Sequence, residues 1–328
     1  MKAAFYKETG EARRVLRVGE LDTPRPSAGE VRVRMIASGV NPADVKARAG
    51  RSFSVMPFPA IVPHHDGVGT IDEVGEGVLR SRVGERVWIW NGQFGRAFGT
   101  AAEFIVVPDA QAVLLPDGVT AQQGACLGIP AQTGYRAATF GQDLEGKTVL
   151  VSGGGGAVGS YAVQFAKLKG ATVIATVGSV ARATRALSAG AVQIINYKTE
   201  DVAKRVQELT GGRGVDRLVE VEFGMNAPNI ASLLRPDGTV YVYGSAKDMQ
   251  PTINVQQLMM HGVTMHFRSV FKIPLPERQA AIRDITSMLE AGVLQNEVAK
   301  EFPLEEIASA HEAVENGKEI GNVVVNIG

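Results

Sequence analysis

The segment KTVLVSGGGGAVGSYAVQFAKLKGATVIATV, residues 147–177, constrains this chain most. An apolar strand, KTVLVSG, runs into a glycine turn at residues 153–159, then a largely apolar helix, then a second strand, ATVIATV. Strand, turn, helix and strand in that order make one βαβ unit, which is built for a parallel sheet. Within it Gly154, Gly156 and Gly159 stand in G-x-G-x-x-G spacing. A turn without side chains lets backbone N–H groups approach a pyrophosphate, whose charge meets the positive end of the helix dipole. The chain holds 38 glycines, so the spacing alone is weak. Its position at the mouth of a helix carries the reading of a dinucleotide site.

Helix and strand keep alternating through ARATRALSAG, VQIINY, TEDVAKRVQELTGG, VDRLVEVEF, NAPNIASLLRP and GTVYVYG, which predicts a doubly wound parallel sheet. Before about residue 121 the texture differs. Short β-type runs, among them KAAFY, GEVRVRMIASGV, GVGTIDEVG, GERVWIW and AAEFIVVP, are cut by Gly and Pro and predict a mostly antiparallel domain. The tail offers two helices, ERQAAIRDITSMLEAG and LEEIASAHEAVENG, and a strand, NVVVNIG, which are expected to complete that first domain. The predicted division is residues 1–121 plus 260–328 for the β-rich domain and 122–259 for an inserted Rossmann domain, in an α/β chain.

Two domains also suit the length, 328 residues being about twice the usual roughly 150. Lysine plus arginine equals aspartate plus glutamate at 34 each, so no field of one sign draws in nucleic acid. No apolar run is long enough for a bilayer, and the opening MKAAFYKETGEARRVL lacks the unbroken apolar stretch of a signal peptide. A cytoplasmic protein without nucleic-acid or membrane partners is expected. The single cysteine, Cys126, excludes internal disulfides and thiolate-rich zinc sites, fits a reducing compartment, and is read as a small buried apolar residue.

An NAD site usually offers an acid to the ribose hydroxyls near the end of the second strand, about 20 positions past the turn. Gly178 and Ser179 stand there instead. No carboxylate repels a 2′-phosphate, and Arg182 on the next turn can pair with one, so NADPH is the expected ligand. The alternative for Arg182 is a solvated helix charge. Tyr197, in IINY, is a candidate to lie against the adenine ribose.

Further motifs are GVNPADVKARAG at 39–50, PHHDGVGTIDEVGEGV at 63–78, GERVW at 84–88, ACLGIPAQTGYRA at 125–137, and the ending from PLEEIASAHEAVENG to NVVVNI. With SGGGGAVG and IINY, these make the chain resemble, end to end, the medium-chain dehydrogenase/reductase superfamily and specifically its zinc-independent, zeta-crystallin-like NADPH:quinone oxidoreductases. The resemblance implies a GroES-like β domain with an inserted Rossmann domain and NADPH held in the cleft between them. It places Asn41 and Lys46 beside the nicotinamide, Thr133 near its ribose, and Gly155, Gly156, Ala157 and Val158 on the pyrophosphate. Gly178, Ser179, Arg182 and Tyr197 surround the adenosine 2′-phosphate, and Asn226, Gly244, Ser245, Arg268, Ser269, Val270 and Phe271 line the rest of the groove. GTVYVYG is placed at the sheet edge, where relatives pair across a two-fold axis, so a homodimer is expected. Two departures stand out: Val221 and Glu222 replace an acid followed by a small residue, and GGGG replaces a G-A-S-G or A-A-G-G run.

Zinc-dependent relatives bind metal through a Cys, a His and a further Cys or Asp, where this chain has Asn41, His65 and Ile129. One ligand of three does not close a tetrahedral site, so no metal is expected. His64 and His65, adjacent in an extended segment, point to opposite faces and are read as hydrogen-bonded loop residues, while His261, His266 and His311 receive no role. Without a Lewis acid the better substrate is already electron-poor, a quinone or an activated enone, and hydride passes directly from NADPH with no catalytic side chain named. Quinone reduction leads. Reduction of a conjugated C=C in an enone, alkenal or enoyl thioester is the alternative, and a cofactor-loaded non-enzymatic binding protein stands in a different class. Trp88 and Trp90, with Phe53, Phe58 and Phe94, either wall a flat ring or belong to a domain core.

Overall fold

The computed structural model describes residues 1–52, 55–141 and 143–328, so Phe53 lies outside the described residues. Strands β1 (Lys2–Phe5), β2 (Arg17–Glu20), β3 (Glu30–Val40), β4 (Asp66–Val74), β5 (Arg86–Ile89), β6 (Phe104–Pro108) and β7 (Ala112–Leu114) come first. Next are β8 (Thr148–Val151), β9 (Thr172–Val177), β10 (Gln193–Asn196), β11 (Val215–Glu220), β12 (Leu234–Val242) and β13 (Thr264–Phe267), then β14 (Val298–Pro303) and β15 (Asn322–Asn326). The chain forms two units, Met1–Ile129 with Thr286–Gly328, and Pro130–Ile285.

In the first unit a sheet runs in the order β14, β15, β3, β4, β5, β7, with β6 also paired to β3. Its axis is β3, whose Val31, Val33 and Met35 alternate into a core shared with Ile71, Val87, Ile105 and Val325. The antiparallel pairing of β15 with β3, Val323 opposite Val40 through Asn326 opposite Ala37, brings the tail into this unit as expected. Trp88 lies on β5 between Val68 and Val113 and is fully buried, and Trp90 is nearly so. Phe58 packs against the core around β3. The core reading of the tryptophans therefore holds over the aromatic wall, with Phe94 left outward at 41% exposure.

The second unit holds six parallel strands in the order β10, β9, β8, β11, β12, β13. This is the doubly wound order, with its switch point between β8 and β11. Both faces are covered, so β11 is buried along its whole length and β8 in three of four residues. The polar members of β11 find partners. Asp216 receives Arg213 and Arg235, and Arg217 donates to the carbonyls of Ala138 and Phe140.

Four expectations are corrected here. The second unit runs to Ile285 rather than residue 259, because β13 pairs with β12 from Thr239 opposite Thr264 to Val242 opposite Phe267. That strand is four residues long and half-exposed, too short and mixed to register as a period. The first boundary likewise falls at Ile129 rather than residue 121. GTVYVYG is not the edge. It is the body of β12, one strand in, and apolarity on both faces is what an internal parallel strand requires. NAPNIASLLRP is broken at Pro228 into a 3-10 turn, Ala227–Asn229, and one helical turn, Ile230–Leu233, before its end joins β12. No helix among the described residues is long and apolar enough to cross a membrane.

Candidate dinucleotide site and the Asn41 cluster

The glycine turn leaves β8 at the switch point and is pinned on both sides. Ser152 N–H donates to Val219 O at 2.9 Å, Gly154 N–H to Thr176 O at 3.0 Å, and Gly153 N–H to Thr176 Oγ1 at 3.1 Å. Gly153 sits at φ +67°, and Gly156 caps the helix Ala157–Leu168. Gly159 is required by contact: a Cβ there would run into the Gly153 carbonyl oxygen and lie 2.9 Å from Gly154 Cα. Gly155 backs against the first turn of the helix Val180–Ala189, where an added Cβ would stand 2.7 Å from Arg182 Cβ. Gly156, Ala157 and Val158 keep partial exposure. The first N–H groups of a helix lack intrahelical acceptors, so this face suits a pyrophosphate.

Gly178, Ser179, Arg182 and Tyr197 gather at the end of β9. Ser179 caps the helix Val180–Ala189, accepting from Arg182 N at 3.4 Å. A Cβ on Gly178 would stand 2.8 Å from Tyr197 Cζ and 3.2 Å from Lys198 Cε. Lys198 is thus a second cation at this corner, passed over in the sequence. Its signal was adjacency to Tyr197 just past a strand.

Across the switch point, Glu220 ends β11 at 1% exposure, and burial raises its carboxyl pKa. It accepts from Asn226 Nδ2 at 3.0 and 3.1 Å and from Glu222 N at 2.5 Å. Glu222 has a definite place: its carboxylate accepts from Ala246 N and Lys247 N, each at 3.0 Å. Ser245 Oγ accepts from Gly224 N at 3.0 Å and donates to Asp248 O at 2.5 Å, so the loop carrying Gly244 and Ser245 is laced to the end of β11. After β13, Arg268 N–H donates to Val242 O and Ser269 caps the 3-10 turn Val270–Lys272, which contains Phe271. Buried Arg278 joins the Val270 carbonyl to Gln132, the neighbour of Thr133. All these residues belong to the second unit.

Asn41 and Lys46 belong to the first, on the helix Pro42–Arg48 and its cap. Asn41 N–H donates to Asp44 Oδ2 at 2.7 Å, and Asn41 Nδ2 to Asp66 Oδ2 at 2.9 Å. The same Asp66 oxygen accepts from Ile129 N at 2.8 Å. Gly128 makes this possible, because a Cβ there would strike Asp66 Oδ1. Asp44 is buried, which raises its pKa well above the ordinary carboxylate range. Burial, with a smaller effect of Arg96, pushes His65 down to about 3. Lys46 is half-exposed on the helix. Among the described residues no group of three or more His, Cys, Asp or Glu is arranged to hold a metal ion.

His311 corrects the sequence reading, which gave it no role. His64, fully buried at φ +80°, has Nδ1 2.8 Å from Ser38 Oγ and Nε2 2.9 Å from His311 Nε2, with the rings stacked at 5.1 Å. Burial first, then the neighbouring His311 and His65, holds His64 well below the ordinary histidine pKa. Burial, with a smaller effect of Arg48, holds His311 at about 3. Ile307, Ala310 and His311 share the buried face of the helix Ile307–Asn316, a spacing visible in the sequence.

A mostly antiparallel β unit around β3, interrupted by a six-stranded parallel sheet with a glycine turn at its switch point, defines the GroES-like plus Rossmann class of oxidoreductase fold. Residues 27–117 match the family model of the alcohol dehydrogenase GroES-like domain, and residues 157–286 that of zinc-binding dehydrogenase. The chain belongs to the medium-chain dehydrogenase/reductase family. It is 31% identical to a quinone oxidoreductase of Rattus norvegicus, covering 89% of this chain and 87% of that one. It is also 31% identical to a 2-haloacrylate reductase of Burkholderia sp, covering 99% and 98%. The structure of Escherichia coli quinone oxidoreductase complexed with NADPH superposes with a TM-score of 0.88 at 26% identity, covering 99% of this chain and 100% of that one.

Proposed function

We propose that this chain is an NADPH-dependent, metal-independent reductase that passes hydride to a quinone. The observation that carries the cofactor is the corner at the end of β9, where Gly178 replaces an acid and Arg182 and Lys198 stand beside it. A 2′-phosphate needs that charge and a plain ribose does not. The relatives support the reaction: the rat protein is a quinone oxidoreductase, and the Escherichia coli one is complexed with NADPH.

When bound, NADPH supplies the hydride. The chain's part is binding and orientation. The N–H face of Gly156, Ala157 and Val158 takes the pyrophosphate, with Gly155 closing the turn behind it. Ser179, Arg182 and Tyr197 take the 2′-phosphate and adenine ribose. Glu222 and Arg278 hold the Ser245 and Val270 segments in place beside Asn226, Gly244 and Thr133. Asn41 and Lys46 are assigned to the nicotinamide end, and no side chain is assigned as a proton donor.

Reduction of a conjugated C=C is the second reading, favoured by the likeness to the 2-haloacrylate reductase. NADPH oxidation measured side by side with a quinone and with an enone separates the two. Turnover of the quinone at least about tenfold the faster in kcat/KM supports the first reading. Silence with both refutes the enzyme and leaves the binding protein. A cytoplasmic homodimer completes the proposal. A single buried cysteine fits a reducing compartment, and one edge of the parallel sheet is β13, where Phe267 is 57% exposed. Light scattering that gives the monomer mass of 34.8 kDa refutes the dimer.

A further inference from the structure

Four buried polar contacts in the first unit form an unbranched line. His311 Nε2 lies 2.9 Å from His64 Nε2, His64 Nδ1 2.8 Å from Ser38 Oγ, Ser38 Oγ 2.7 Å from Thr100 Oγ1, and Thr100 Oγ1 2.6 Å from the Asp66 carbonyl oxygen. All five residues are wholly buried, where polar groups take their partners from one another.

The protons can be placed by counting. A carbonyl only accepts, so the Thr100 hydroxyl proton points to Asp66. Thr100 has no second proton, so Ser38 donates to Thr100. Ser38 has none left for His64, so His64 carries its proton on Nδ1 and donates to Ser38. A neutral His64 then offers a lone pair on Nε2, and His311 donates to it from its own Nε2. Four contacts are filled by four protons, all pointing the same way. The reverse tautomer of His64 leaves one contact without a proton and puts a proton on His311 Nδ1, which is buried without a hydrogen-bond partner. A buried donor left without an acceptor is strongly disfavoured, so one arrangement prevails.

The line ends on a residue of the candidate site. Asp66, whose carbonyl receives Thr100, is the residue whose carboxylate holds Asn41 Nδ2 and Ile129 N. We infer that His311, His64, Ser38 and Thr100 form a one-directional hydrogen-bond chain that fixes Asp66 and through it the Asn41 amide, making His64 and His311 positioning residues. The strained φ of His64 agrees with a side chain held in a required orientation. Arg48, paired with Glu315 on the same helix as His311, keeps that helix against the helix Pro42–Arg48 and so guards the starting end of the chain.

The test has a spectroscopic arm and a kinetic arm. Side-chain 15N NMR of the full-length protein at pH 7, with the five histidines assigned by single variants, is expected to show His64 protonated on Nδ1 alone and His311 on Nε2 alone. His64 protonated on Nε2, or on both nitrogens, overturns the inference. Ser38→Ala removes the middle link with little volume change, and the His64 signal is expected to lose its single tautomer; an unchanged signal also overturns it. In the kinetic arm, which rests on the hydride-transfer reading above, His311→Leu lowers kcat about tenfold at unchanged KM for NADPH. His311→Gln, which still offers an N–H near the Nε2 position, restores kcat to within about threefold. Equal kcat for wild type and the folded leucine variant, with only thermal stability reduced, means a structural role and refutes the positioning role. Failure of the wild type to oxidise NADPH would instead count against the proposed function and leave the NMR result to decide.

Discussion

Acid should unfold the first unit at a pH the second tolerates, because the fully buried histidines, which must stay neutral in the folded state, all lie in the first unit. His65 and His311 in the first unit are each held at about 3 by burial, against an ordinary value of 6.5, and His64 is shifted the same way. The unfolded chain therefore binds more protons than the folded one between these values. Stability is full above about pH 6.5 and declines as the pH falls towards 3. At pH 5, one and a half units below the ordinary value, each group costs about 2 kcal/mol at about 1.4 kcal/mol per unit. His65 and His311 together remove about 4 kcal/mol, a large part of the roughly 5–15 kcal/mol that holds a domain. Asp44 acts against this, since its raised pKa means the folded state gains from protonation as the pH falls. In the second unit Glu220 is raised likewise, Asp216 and Asp284 are lowered and matter only near and below the ordinary 3.8, and only His266, partly exposed, adds an acid-sensitive shift. The assay is built into the chain. Its two tryptophans, Trp88 and Trp90, both lie in the first unit, so tryptophan fluorescence reports that unit alone. Urea titrations at pH 8 and pH 5 should show the fluorescence-detected unfolding free energy falling by about 3–4 kcal/mol. Agreement of the two within about 0.5 kcal/mol would refute the reasoning.

Three further outcomes are expected. Arg182→Glu should weaken NADPH at least about 30-fold while moving NADH less than about threefold, since it exchanges a phosphate partner for a like charge, and equal losses in a fluorescence titration would sink the 2′-phosphate assignment. Gly159→Ala should abolish measurable NADPH binding, because its methyl group meets the Gly153 carbonyl and Gly154 Cα, both backbone and unable to swing aside; an affinity within about threefold of wild type would show that the turn is not the pyrophosphate site. Turnover should be unchanged after dialysis against a strong chelator, and a clear loss restored by added zinc would refute metal-independent chemistry.

The fold was legible where its signals are local. The glycine turn, the β8 and β9 strands and the helix between them can be read in one stretch of sequence because periodicity and turn chemistry act over a few residues. β13 was missed for the converse reason: four half-exposed residues carry no period, and only pairing with β12 shows what they are. His311 falls between these cases. Its buried helical face could be read, but its partner His64 lies 247 positions away in the chain. Tyr197 and Lys198 were adjacent in sequence, and what singles out Lys198 is the approach of both to Gly178, a contact made by the sheet.

The cluster at Asn41 shows most clearly why residue substitution alone gave half an answer. An amide at 41 and an isoleucine at 129 were enough to argue against a metal, but not to say what joins those two points instead. The structure puts one carboxylate oxygen of Asp66 within hydrogen-bond reach of both, through the side-chain amide of one and the backbone N–H of the other. The first depends on the Asn41 side chain, whereas the second depends on a backbone N–H, which every residue but proline supplies. Gly128 is bound to the arrangement as well, since its missing Cβ leaves the room in which Asp66 Oδ1 lies. The determinants of this corner are therefore Asn41, Asp66 and Gly128, with the His311 to Thr100 chain behind them, and two of those residue types would pass in a sequence as an ordinary loop acid and an ordinary glycine.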